Sequence, residues 1–154
     1  MGSIRKLTLF LIFFCISVAG LCGVSVQATQ ATFIRVPANY NPQTGAFSLE
    51  ETAYDGFYGN LCLAYDYFVF NAIGGQAVSW QVNSPGQAVY YAIIDASAIQ
   101  YFDANAQNCN LIFPAPFQFF NSQKTLTWTP PGSGPFALIF FTRVFYSGLI
   151  YITQ

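Results

Sequence analysis

Val78-Ser79-Trp80-Gln81-Val82 and Leu126-Thr127-Trp128-Thr129 set apolar side chains two residues apart with small polar ones between them. That period puts one face of a strand in a core and the other in water, and a helix cannot satisfy it. Strands are also expected at Thr32 to Val36, Ala46 to Glu50, Leu61 to Phe70, Ala88 to Ile94, Leu111 to Phe113 and Leu149 to Thr153. Between them stand turn sequences: Asn71 to Gly75, Asn83-Ser84-Pro85-Gly86, Pro130 to Pro135 and Tyr146-Ser147-Gly148. Phe136 to Phe141 is apolar on both faces, which suits a central strand or one covered on its outer side by another chain. One segment departs from the pattern. Asp95 to Asp103 is alanine-rich and opens on an N-cap residue type, so a short helix is expected from about Ala96 to Phe102. Ile99 and Phe102 then face inward, and the helix caps one end of the fold. The expected fold class is all-β: an antiparallel β-sandwich with one short connecting helix.

The beginning of the chain reads differently. Arg5 and Lys6 precede the apolar run Leu7 to Val18, and Val26-Gln27-Ala28 offers small side chains at the positions a cleaving peptidase requires. These are the three parts of a secretory signal peptide, expected over residues 1–28. An uncleaved anchor is the alternative, because Leu7 to Gln27 carries no charge and is just long enough to span a bilayer. Gly20, Gly23, Ser25 and Gln27 dilute its second half and favour cleavage. Residues 29–154 then form one extracytoplasmic domain, with residues 29–45 as an N-terminal strand and linker. No later apolar run is long enough to cross a membrane as a helix.

From Thr29 onward the basic residues are Arg35, Lys124 and Arg143, and the acidic ones are Glu50, Glu51, Asp55, Asp66, Asp95 and Asp103. Soluble domains are ordinarily about one-quarter charged. No basic patch exists to hold nucleic acid, and no polybasic segment to hold anionic lipid. A nearly uncharged, aromatic-rich domain is poorly protected against self-association. Its surface is therefore either covered by neighbouring copies or by another surface protein, or its aromatics are simply core. Removal of the signal leaves two cysteines, Cys62 and Cys109, an even count in an oxidising compartment, so a disulfide between them is expected.

Catalytic chemistry is sparse. The chain has no histidine, which removes the usual general base and the imidazole of a zinc site. Lys124 follows Ser122-Gln123 in a polar turn and reads as a solvated lysine. Glu50 and Glu51 are adjacent and would point to opposite faces of a strand, and Asp66 reads as an outward-facing or hydrogen-bonded acid. No Asp-rich calcium loop exists, and neither a cofactor nor a metal is expected. Aromatic rings stack on sugar faces, so Tyr54, Phe57 and Tyr58, flanking Asp55 and Gly56, are the candidate ligand-contact aromatics. Phe117, Phe119 and Phe120 form a second cluster. The alternative is that both sets of rings pack over the ends of the sandwich.

Val89 to Ile94 runs into the short Asp95 to Phe102 segment; Thr125 to Gly132 and Phe136 to Phe141 come after it. From about Tyr65 to Ile152 this order resembles a jelly-roll domain of exported bacterial and archaeal proteins, related in layout to the eukaryotic GOLD domain. The family's Tyr-rich strand ends in Asn, where this chain has Thr142-Arg143. The resemblance implies binding or assembly and carries over no functional residue. Thr32, Phe33, Ile34, Arg35 and Val36, with Pro37 to Gly45 behind them, also resemble the donated strand and linker of archaeal surface-thread subunits. In those filaments the segment after the signal inserts into the next subunit. Ile34 and Val36 are expected on the groove-filling face and Phe33 and Arg35 on the other. The plainer expectation is that this segment is the first strand of its own sheet.

These features lead to the expectation of a secreted, non-catalytic structural or adhesive surface protein, a filament subunit if the segment is donated. The alternative is an extracellular binding module for glycan or protein.

Overall fold

The long apolar segments dictate the centre of the molecule. In the computed structural model, which describes residues 27–55, 60–106, 116–143 and 145–154, β5 (Asn60–Ala72) pairs antiparallel with β10 (Gly134–Thr142). On its other edge β10 pairs antiparallel with β7 (Val89–Asp95), which in turn pairs with β8 (Gln118–Phe120). The outer edge of β5 is shared by two short strands: β4 (Glu51–Asp55) along its first half and β2 (Phe33–Arg35) near its end. These six strands make sheet II. Sheet I is built around β6 (Val78–Asn83), with β9 (Lys124–Trp128) on one edge. On the other edge of β6 lie β11 (Ile150–Thr153) and, farther along, β1 (Thr29–Gln30), while β3 (Ala46–Phe47) pairs with β11. Among the described residues every strand pairing is antiparallel except that of β1 with β6.

The two sheets close over one core. Val78, Trp80 and Val82 point in from β6 while Ser79 and Gln81 do not, as the period of two requires. They meet Phe68, Phe70, Leu138 and Phe140 from sheet II, with Phe47, Leu126, Ile150 and Ile152 completing the inter-sheet cluster. Edge-to-face rings dominate the packing; Phe70 and Trp80 sit 4.9 Å apart and Phe47 and Phe68 also 4.9 Å. Among the described residues the fold is thus an all-β sandwich with one short helix.

Strand β10 is apolar on both faces because it is central and buried twice. Leu138 and Phe140 face the inter-sheet core, while Ala137, Ile139 and Phe141 belong to a second cluster on the outer side of sheet II. The connection after β7 supplies part of its cover. A 3₁₀ turn, Ala96–Ala98, leads into α1 (Ile99–Ala106), and Phe102 is buried against Tyr65 with ring centroids 5.0 Å apart. Tyr65 also donates its hydroxyl to Asp103 Oδ1 at 3.0 Å. The helix therefore lies on the outer face of sheet II and does not cap an end of the sandwich as the sequence suggested. An apolar outer face costs more to leave in water than an open sandwich end. The helical segment also runs longer than expected, to Ala106. Residues 1–26, holding nearly all of the expected signal, and the expected strand Leu111 to Phe113 lie outside the described residues. Among the described residues no helix is long and apolar enough to cross a membrane.

Two outcomes are expected. Phe140→Ala removes a wholly buried ring from the inter-sheet cluster and costs about 3–5 kcal/mol, measured by urea denaturation. At the start of the helical segment Asp95 accepts from Ser97 Oγ and Ser97 N, and these bonds hold its carboxyl below the usual carboxylate range. A depressed folded pKa gives support that is present above the unfolded value and fades as pH falls through the folded one. Asp95→Asn should flatten that acid limb in a stability-against-pH series.

Candidate functional site

The N-terminal segment occupies a place that two sheets leave open together. On β6, strand β11 reaches only Gln81, and β1 takes the remaining edge, with Thr29 opposite Val78 and Gln30 opposite Ser79. On β5, strand β4 reaches Tyr65, and β2 takes the far end, with Phe33 opposite Phe70 and Arg35 opposite Val69. The chain thus crosses from sheet I to sheet II within a few residues. At the crossing Ala31 is buried in the inter-sheet cluster. Phe33 also turns inward, its ring centroid 4.7 Å from Phe68 and 6.4 Å from Trp80, nearly parallel to the latter. The Thr29 amide donates to the Ala77 carbonyl at 2.9 Å, and Gln76 Nε2 donates to Thr29 Oγ1 at 3.2 Å.

Phe33 faces the groove in place of the expected Ile34 and Val36, while Arg35 lies off the groove as expected. Ala31 and Phe33 fill the groove, whereas Ile34 is 59 % and Val36 39 % exposed. Phe33 faces inward because it pairs with the inward Phe70, and a bulge follows: two residues of β2 from Phe33 to Arg35 span one step of β5, and Ile34 is the extra residue. Arg35 then falls on the outer face of sheet II, its guanidinium carbon 4.0 Å from the centre of the Tyr67 ring. Thr32 is exposed.

Pro37 to Gly45, expected as a linker, is folded and not a free tether. Tyr40 N donates to the Pro37 carbonyl, and the Asn41 side chain and carbonyl bind the backbone of Gln43 to Gly45. Asn39 Nδ2 is held by the Ser48 carbonyl and hydroxyl. Gly45, at φ +72°, lies so close to β11 that an added Cβ would stand 2.1 Å from the Ile152 carbonyl oxygen, and Ile152 N donates back to the Gly45 carbonyl. From Pro37 onward the chain is therefore tied to the domain by its own turns and by β11. Alongside it runs an open groove of 480 Å³ walled by Phe33, Val36, Tyr40 and the tail of β11. Burial there raises the Tyr40 phenol above its usual value.

The other residues singled out from the sequence lie elsewhere. Tyr54 belongs to β4, a strand and not a loop, because Glu51–Asp55 folds back on the first half of β5. Its side chain, like Phe57 and Tyr58, lies outside the described residues. Phe120 points into the core, while Phe117 and Phe119 are 45 % and 62 % exposed beside Tyr90, at 5.5 and 6.2 Å between ring centres. Cys62 is half-buried against the outer cluster of sheet II, and Cys109 lies outside the described residues. Asp66 is buried between the inward positions Ala64 and Phe68, and its Oδ1 accepts from Tyr67 N at 2.8 Å. Among the described residues no three acids, cysteines or histidines come together to hold a metal ion. Lys124, read from sequence as a turn residue, opens β9 and is half-buried. Compared with known proteins, the chain matches no family model, no curated protein and no solved structure.

Phe33→Ala should cost about 2 kcal/mol from lost ring burial and speed hydrogen exchange of the Thr29 to Arg35 amides. Ile34→Ala, at an exposed bulge, should stay within about 0.5 kcal/mol of the parent. Equal effects of the two substitutions would contradict the observed seating.

Proposed function

We propose that this chain is a secreted, non-catalytic structural protein of the cell surface, a subunit that assembles by giving its segment Thr29 to Val36 to a second copy. One observation carries the reading: the segment fills a gap left in both sheets, held among the described residues by strand-edge hydrogen bonds, the buried side chains Ala31 and Phe33, and peripheral contacts of Thr29 with Gln76 and Arg35 with Tyr67. An identical segment from a neighbour makes the same contacts, so exchange costs no contact energy and is governed by hinge strain at Val36-Pro37 and by concentration. Released at that hinge, eight extended residues reach about 26 Å, enough to enter an adjacent domain. The low charge of the chain supports close approach of copies. The jelly-roll and surface-thread resemblances, the signal peptide at residues 1–28 and an extracellular location belong to the same proposal. So does a Cys62–Cys109 disulfide, the pairing that two cysteines in an oxidising compartment favour.

Deletion of Thr29 to Val36 should leave a folded domain that no longer polymerises, and the free peptide should bind it. A deletion protein that stays unfolded with the peptide present, or full-length protein that remains monomeric at high concentration, contradicts strand donation. For the disulfide, secreted protein should resist alkylation until reduced and then take up two labels; two labels before reduction would exclude it.

A second reading, a glycan-binding module, draws on the exposed row of Phe119 and Phe117 beside Tyr90 on the outer face of sheet II. Such rings offer stacking faces to a sugar. Loss of glycan-array binding on Phe119→Ala with filament formation intact would favour this reading over the first.

A further inference from the structure

On the flank of the sandwich opposite the N-terminal segment, β9 of sheet I faces β7 and β8 of sheet II, and the two sheets do not close. A pocket of 240 Å³ opens between them, with Tyr91 and Ile93 on one wall and Leu126 and Trp128 on the other. Apolar surface thus lines an opening at the side of the core. Gln118 also lines it, and its Oε1 accepts from the Tyr91 hydroxyl at 2.6 Å and from Lys124 Nζ at 3.3 Å. Lys124 is outside the lining but touches two of its residues, with its ammonium 5.3 Å from the centre of the Tyr91 ring. Its hydrogen bond to Gln118 is exposed, so the ammonium is open to an incoming anion. Among the described residues no carboxylate lies within ion-pair distance of it. A cation set beside an apolar opening is complementary to a molecule that brings both a carboxylate and a short tail.

We propose that this pocket binds a small amphiphilic carboxylate, its tail between Trp128 and Ile93 and its carboxylate on Lys124. The pocket lies below the roughly 300–1,000 Å³ of drug-sized sites, which limits the tail to a short chain. Charge selects against the corresponding alcohol, because only an anion forms an ion pair with Lys124. The site is independent of the N-terminal segment and stands whether or not that segment is exchanged.

Hexanoate, hexanol and hexylammonium are the probes, titrated into the full-length protein and tracked by NMR at Tyr91, Trp128 and Lys124. Hexanoate should bind saturably with a Kd on the order of 1 mM or tighter, with hexanol at least tenfold weaker and hexylammonium weaker still. Lys124→Met, which keeps most of the apolar stem, should weaken hexanoate at least tenfold and leave hexanol unchanged, and Lys124→Arg should restore the preference for the anion. Equal binding of hexanoate and hexanol, an unchanged hexanoate affinity in Lys124→Met, or no saturable shift at the three residues would overturn the proposal.

Discussion

Strand β10 brings Leu138 and Phe140 to one face of its sheet and Ala137, Ile139 and Phe141 to the other, and none is more than 1 % exposed. This double burial determines what lies on either side. The inner face needs a second sheet, which β6, β11 and β9 provide with Trp80, Val82, Ile152 and Leu126. The outer face needs a cover that a two-layer sandwich lacks, and the helical connection after β7 supplies Phe102 and Ile99 to it. A short helix in an otherwise β protein results from one strand that has no polar side.

The same economy leaves a gap at the other edge. Both β4 and β11 are shorter than the strands they pair with, so β5 and β6 each present unpaired backbone at the same end of the sandwich. Unpaired strand edges beside an apolar floor invite association. The first residues after the expected signal answer this twice, pairing β1 with β6 and β2 with β5, and they seal the floor with Phe33. Beyond Pro37 the chain is anchored by Gly45 against Ile152, and the proposed strand donation is the exchange of this cover between copies.

Much of this was legible in the sequence where a period of two was strong. Trp80 and Leu126 face inward as their spacing requires, and the two-faced run Phe136 to Phe141 is central. Asp95 caps the helical segment as its residue type suggests. Other elements carry no such signal. Thr29-Gln30 is polar and two residues long, and Gln118-Phe119-Phe120 does not alternate, so β1 and β8 exist only through their neighbours. Glu51 to Asp55 carries acids at both ends, yet it is a strand because β5 offers it an edge. The faces of β2 were misread because the register that sets Phe33 opposite the inward Phe70 leaves no mark on the composition, and a bulge at Ile34 then turns Arg35 outward. Lys124 was hidden by its polar neighbours Ser122 and Gln123, and only the folded chain brings it to Tyr91 and Gln118.

Exchange of the N-terminal segment is tested most directly by asking which chain supplies it. Gln30 and Ser79 are register partners across β1 and β6, and neighbouring strands lie about 4.8 Å apart, within the range a disulfide bridges. Protein carrying only Gln30→Cys is mixed with protein carrying only Ser79→Cys, assembled and oxidised, and the products are separated without reductant. Strand donation predicts covalent dimers containing one chain of each kind, formed in assemblies and absent from dilute monomer. Assemblies that form without any such mixed dimer would contradict it.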